Sequence, residues 1–242
     1  MAGKYFKLQL ITAAWMFIAN SLQAQNHYNT WFRTTCSLPV GNKIRIDGEL
    51  QHRRQNDLDS QSPFDRPLML TVRGWIHYQY SEHFKLSISP FAYFSNYRIV
   101  QHHADETAMP VSETRFSAAA EWLQKIQNKW NVTERNAIEY RIFGNDQQNI
   151  TRLRNRLGVR YDITQDARLG IYDELFCNVA GTSAGHFFDH NRIGVILEYK
   201  ILPDFKLETG YIYISRLPVT SNSELAEHNI FLHLTYQLER LK

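Results

Sequence analysis

Past its first two dozen residues, the 242-residue chain has no run of about twenty apolar residues, so no helix in it reads as a membrane span. Cysteine is scarce. Cys36 and Cys177 are the two present, they fall on segments far apart in the order read below, and no zinc-like spacing links them. That argues against a disulfide framework and leaves two unpaired cysteines on apolar faces. Charge of one sign is not in large excess either. Lys and Arg number 27 against 24 Asp and Glu, a balance that does not point to nucleic acid. Linkers, low-complexity tracts and breaks in composition are missing, so the chain reads as one domain. His52, His77 and His233 sit on separate segments without ligand spacing, and no metal or other cofactor is expected.

What is present is a two-residue period. In Ile150–Tyr161, Arg152, Arg154, Arg156 and Arg160 share one parity, while Leu153, Leu157, Val159 and Tyr161 share the other. That is a strand with a cationic face and an apolar face. The same alternation marks ten further segments: Tyr28–Leu38, Lys43–Arg54, Leu68–Tyr80, Phe84–Arg98, Glu113–Gln127, Trp130–Phe143, Arg168–Asn178, His190–Ile201, Phe205–Arg216 and His228–Leu238. Pro90 cannot donate to a ladder, so a bulge is expected there. Asp173 falls on the apolar parity, which predicts either a bulge or a shifted register in that strand.

Tight turns near Gly41, Glu82, Asn128, Gln165 and Pro203 alternate with the longer connections Gln55–Pro67, Ile99–Ser112, Gly144–Asn149, Val179–Asp189 and Leu217–Glu227. Tyr78, Tyr80, Phe84, Trp130, Tyr161, Tyr199, Phe205 and Tyr236 gather at the tight-turn level or beside the C-terminus, where an interfacial girdle belongs. Lys4 and Lys7, the apolar Leu8 to Ala19 and the Ser21 to Ala24 region read as a secretory signal peptide over 1–24. Residues 25–242 then read as an antiparallel up-and-down transmembrane β-barrel of about 10–12 strands. It is expected in the outer membrane of a Gram-negative cell after Sec-type export, as a monomer surrounded by outer-membrane lipid. An even strand count leaves Tyr28–Leu38 running down from outside. On that count either a strand is missed, or this segment lies in the lumen or along the barrel end.

Energetics orients the faces. Each Arg turned to lipid at mid-bilayer costs roughly 2–4 kcal/mol, so the arginines point inward. The expected lumen network comprises Arg45, Glu49, Arg73, Glu121, Arg135, Glu139, Arg141, Arg152, Arg154, Arg156, Glu174, Arg192 and Glu198, with Asp47 and Glu208 as further acidic partners. Burying the guanidinium groups requires such partners, so a packed, salt-bridged interior with a basic excess is expected rather than an open pore. Its role is structural, or it binds anionic groups such as lipid phosphates or lipopolysaccharide.

Two other readings compete. A secreted lipocalin-like protein would turn the Leu, Ile and Val faces inward and leave the aromatic girdle unexplained. A lipid hydrolase would need Ser, His and a polar orienter together at the outer rim. The run His186-Phe187-Phe188-Asp189-His190-Asn191, with Ser183 nearby, is the nearest candidate. No enzyme activity is expected from so weak a constellation.

Trp31, ELQHRRQ, RNAIEYR, RLRNRLGVRY, ELFCN, HNRIGVILEYK, ETGYIY and the closing HNIFLHLTYQL together resemble the domain-of-unknown-function 2490 family. The resemblance covers most of the chain past the leader. It implies a small outer-membrane barrel whose strands carry E-x-R, R-x-R and N-R elements. It brings no established activity, so no catalytic residue is carried over.

Overall fold

A computed structural model describes residues 25–216 and 225–240, without the side chains of residues 25 and 184. The expected signal peptide lies outside these residues, as does 217–224 of the last expected loop. The strands are β1 (Gln25–Val40), β2 (Ile44–Gln55), β3 (Arg66–Gln79), β4 (Phe84–Asn96), β5 (Val111–Gln127), β6 (Trp130–Phe143), β7 (Ile150–Asp162), β8 (Ala167–Ala180), β9 (Phe188–Leu202), β10 (Phe205–Arg216) and β11 (Leu225–Gln237). A four-residue helix α1 (His103–Glu106) lies between β4 and β5, and a 3₁₀ turn (Ala184–His186) between β8 and β9.

Every strand pairs with its sequence neighbours and the sheet closes into a barrel. The count is odd, and that decides the seam. Ten successive reversals leave β1 and β11 pointing the same way, so they join in parallel, from Gln25 opposite Leu225 to Ser37 opposite Gln237. The first segment is therefore a full wall strand, antiparallel to β2 and parallel to β11. Among the described residues there is no further strand, and the segment does not lie in the lumen or across the end.

The two-residue period follows the wall. Ile44, Ile46, Leu50, Leu70, Val72, Ile138, Leu153, Leu157, Ile171 and Val195 are exposed on the outside. Arg73, Arg115, Glu139, Arg152 and Glu174 are buried on the inside. The tight-turn girdle is in place, with Trp130 and Tyr161 at 4.7 Å and Phe84 and Trp122 at 6.0 Å between ring centroids. Both cysteines are free.

The bulge at Pro90 is present and reverses the facing of β4. Pairing with β5 breaks between Ser89 and Tyr93. Before it, Ser87 and Ser89 point inward; after it, Ala92 and Phe94 do, while Phe91 is 54% exposed. At Asp173 there is neither bulge nor slip. The ladders to β7 and β9 run unbroken through it, and its side chain faces outward.

Candidate functional site

Inward parity on adjacent strands brings the charged residues of β5 to β9 onto one wall. Glu139 stands at its centre, 1% exposed. Its Oε1 accepts from Arg154 at 2.7 Å and its Oε2 from Arg152 at 2.7 Å, with Arg115 at 3.5 Å. Glu174 accepts from Arg154 at 2.7 Å and Arg156 at 2.9 Å, and Arg192 lies 4.0 Å away. Glu113 accepts from Arg115 at 2.7 Å and Arg141 at 2.8 Å. Asp189 holds the far side of Arg152 at 2.8 Å. Charge-assisted bonds of this length offset the desolvation that each buried ion suffers.

The other expected residues lie outside this cluster. Arg45 pairs with Asp47 at 3.0 Å, Glu49 with Arg33 at 3.8 Å and Glu121 with Lys85 at 2.8 Å. Glu198 bridges Arg168 at 3.2 Å and Lys206 at 3.1 Å. Arg73 donates to Ser89 and Ser117 and is 4.0 Å from Glu139. Arg135 has no carboxylate within ion-pair distance among the described residues and lies 5.5 Å from the Trp75 ring.

Glu113, Asp189 and Glu227 complete the network without belonging to the expected acidic set. They stand at the strand ends nearest the long connections. Asp189 and Glu227 read as loop because β9 and β11 begin earlier than their alternation shows. Glu227 takes Arg216 at 2.8 Å.

Close packing locks one part of this wall. A Cβ added at Gly194 would stand 2.4 Å from ring atoms of Tyr172, whose other neighbour is the Arg156 guanidinium at 4.5 Å. Gly194→Ala is therefore expected to displace Tyr172 and cost about 1–3 kcal/mol by overpacking. Urea unfolding in detergent micelles checks this, and combining it with Tyr172→Ala should recover much of the loss, since the ring is then gone.

The remaining space is a cavity of about 850 Å³. Seventeen Arg and Lys line it against eight Asp and Glu, and the buried Glu113, Glu139, Glu174, Asp189 and Glu227 behind them reduce this basic excess without cancelling it. It reaches the tight-turn end, where Thr164, Gln165, Asp166, Pro203 and Asp204 form its rim. At the other end, Gln55 donates to the carbonyls of Pro67 and Arg98 and accepts from the Val100 amide, drawing the β4–β5 connection in until Val100 is buried. No described residue of the long connections lines the cavity.

Within this cavity, Trp31 carries guanidinium groups from two strands. Arg53 sits 3.5 Å from the Trp31 ring centroid and Arg192 lies 5.3 Å from it. Arg33 lies 5.5 Å from Phe231, which meets Trp31 edge-on. Arg53 has no carboxylate within ion-pair distance among the described residues. The charges around it are mainly the cations Arg192, Arg33 and Arg216, opposed by Glu227. Arg33 Nε, Arg192 Nε and Trp31 Nε1 have no acceptor among the described residues.

The hydrolase candidate divides into two parts. Ser183 Oγ lies 2.9 Å from His186 Nδ1, across a turn closed by the His186 amide on the Ser183 carbonyl. His190 is elsewhere: it is buried, stacked on Phe176 at 3.9 Å and 3.0 Å from Asp189. No group of three His, Cys, Asp or Glu among the described residues is arranged to hold a metal ion.

A closed sheet, aliphatic outside and ion-paired inside, is the construction of a porin-like transmembrane β-barrel. The chain belongs to the family described as "Protein of unknown function (DUF2490)", which it matches over residues 28–224. Among solved structures it is similar to one described as "NanC porin structure in rhombohedral crystal form". The TM-score is 0.53 at 12% identity, covering 88% of this chain and 99% of that one. This likeness is one of fold. No curated protein matches the chain.

Proposed function

We propose that this protein is a non-enzymatic outer-membrane barrel that takes a small anion into its lumen from the tight-turn side. The aliphatic exterior, the girdle and the export-type leader read in the sequence support the location, and the tight-turn side then faces the periplasm. One observation carries the ligand: Arg53 lies on Trp31 beside Arg192 and Arg33 with no carboxylate in ion-pair distance among the described residues, and its two neighbours are only loosely paired, with Glu174 at 4.0 Å and Glu49 at 3.8 Å. Like charges held together in a desolvated lumen call for a counter-anion. The ligand is a phosphate- or carboxylate-sized group, which guanidinium groups hold through paired N–H donors. The cavity opens away from the level of lipid headgroups on the long-loop side, which favours a free anion over lipopolysaccharide.

The arginines singled out by the sequence are less suited to this role. Arg152, Arg154 and Arg156 are already engaged by Glu139, Glu174 and Asp189. Titration calorimetry of the refolded barrel with inorganic phosphate, and separately with lipopolysaccharide, tests the proposal. Arg53→Gln and Arg192→Gln are each expected to weaken phosphate binding tenfold or more, because a charge-assisted bond contributes about 1.5–3 kcal/mol. Arg54→Gln, on the outward parity, should leave binding unchanged. Equal binding by all variants, or binding of lipopolysaccharide alone, would refute the luminal site.

A further inference from the structure

The outward face of β6 to β9 is apolar except for a polar strip across its middle. On β6, Glu134 and Asn136 follow Trp130 and Val132 and precede Ile138 and Tyr140. On β7, Asn155 lies between Leu153 and Leu157; on β8, Asp173 lies between Ile171 and Leu175. Strand register sets them side by side. Asn136 faces Asn155, Glu134 and Asp173 flank Leu157, and Leu175 faces Asn191 of β9. At the usual strand spacing the strip is roughly 15 Å wide.

These groups bond one another, and incompletely. Asn136 and Asn155 both donate to Glu134 Oε1, at 3.0 and 3.2 Å, and Asn155 also donates to Asn136 at 2.7 Å. Asn191 donates to Asp173 Oδ1 at 2.7 Å. Glu134 Oε2, Asp173 Oδ2 and Asn155 Oδ1 take no hydrogen bond from a described residue. Neither carboxylate has a described cation within ion-pair distance. The Asn136 and Asn191 amides each keep a second N–H to donate.

We propose that this strip is a two-fold interface on which a second copy of the chain docks within the membrane. Hydrocarbon offers these groups no water, so an unmet acceptor on a spanning wall needs a protein donor. Lipid headgroups do not reach it, because apolar residues flank the strip on both sides along each strand. The strip supplies part of its own complement, two spare N–H groups per copy against three unmet acceptors. Under a two-fold axis, the spare Asn136 N–H of one copy meets Glu134 Oε2 or Asn155 Oδ1 of the other, and the reverse contact follows by symmetry. Leu153, Leu157, Ile171 and Ile193 around it provide the packing surface.

Cysteine cross-linking in intact outer membranes tests this. The full chain is expressed with Cys36→Ser and Cys177→Ser, carrying either Leu157→Cys in the strip or Val72→Cys on the outward face of β3. Barrel folding is verified for each by the heat-dependent gel shift. Oxidation is expected to give a band at twice the monomer mass for Leu157→Cys and none for Val72→Cys. Adding Glu134→Leu and Asn136→Leu should reduce that band at least fivefold while the heat shift persists. A folded Leu157→Cys protein that stays at monomer mass overturns the proposal and restores the monomer expected from the sequence. So does a cross-link of unequal mass, which assigns the strip to a different protein, or a dimer band untouched by the leucine substitutions.

Discussion

Glu139→Gln is expected to destabilise the barrel by about 3–5 kcal/mol, the cost of leaving buried charges without their partner. Both carboxylate oxygens are in use, Oε1 by Arg154 and Oε2 by Arg152 and Arg115. Glutamine keeps the shape but turns an amide N–H₂ toward one of these guanidinium groups. Donor then faces donor, and the central negative charge is gone. Glu121→Gln is the control. That carboxylate meets Lys85 at 2.8 Å, both side chains are more than a fifth exposed, and the pair is less desolvated. Its loss should cost no more than about 1 kcal/mol. Urea unfolding in micelles, followed by tryptophan fluorescence, compares the two. A Glu139→Gln midpoint equal to that of Glu121→Gln would mean that the network fills space without holding the wall together.

Phe91→Arg is the second large effect. Uninterrupted alternation from Lys85, Ser87 and Ser89 would send residue 91 into the lumen, among groups that tolerate an arginine. The bulge at Pro90 sends it out instead, at mid-wall and 54% exposed. An arginine there meets lipid, at about 2–4 kcal/mol. Refolding yield into lipid vesicles, read by the heat-dependent gel shift, is expected to fall for Phe91→Arg and to hold for Phe91→Leu. If Phe91→Arg folds as well as Phe91→Leu, the bulge does not re-aim the strand in the bilayer.

The wall was legible because lipid and lumen demand opposite side chains at every second residue, and because the tight turns near Gly41, Asn128 and Pro203 are short enough to fix where strands reverse. The Ala118 to Ala120 run did not obscure this, since Arg115, Ser117 and Glu121 keep the period of β5. Pairing partners were harder to read. Alternation reports which way a side chain faces and is silent about which residue stands across from it, so the sharing of Glu139 among Arg115, Arg152 and Arg154 emerges only with register. Asp189 and Glu227 were hidden because the apolar half of the period fades where strands rise beyond the bilayer. Asp173 broke the pattern in the sequence and does so in the barrel as well. Its side chain faces outward in an unbroken ladder, as part of the polar strip. The parallel seam was not legible, because an up-and-down rule counts strands in pairs and an eleventh strand has no place in it.

That seam makes completion of the sheet an all-or-nothing event. Gln25 and Leu225 are neighbours in space, yet about two hundred residues of chain separate them. Until they meet, the nascent sheet has two bare margins whose amides and carbonyls are unsatisfied. A chain truncated before β11 would lack the strand that meets β1 in this register. It would carry an aliphatic face together with sticky edges, the makeup of an aggregating species rather than of a smaller pore. The unfinished molecule exposes edges that the finished one lacks.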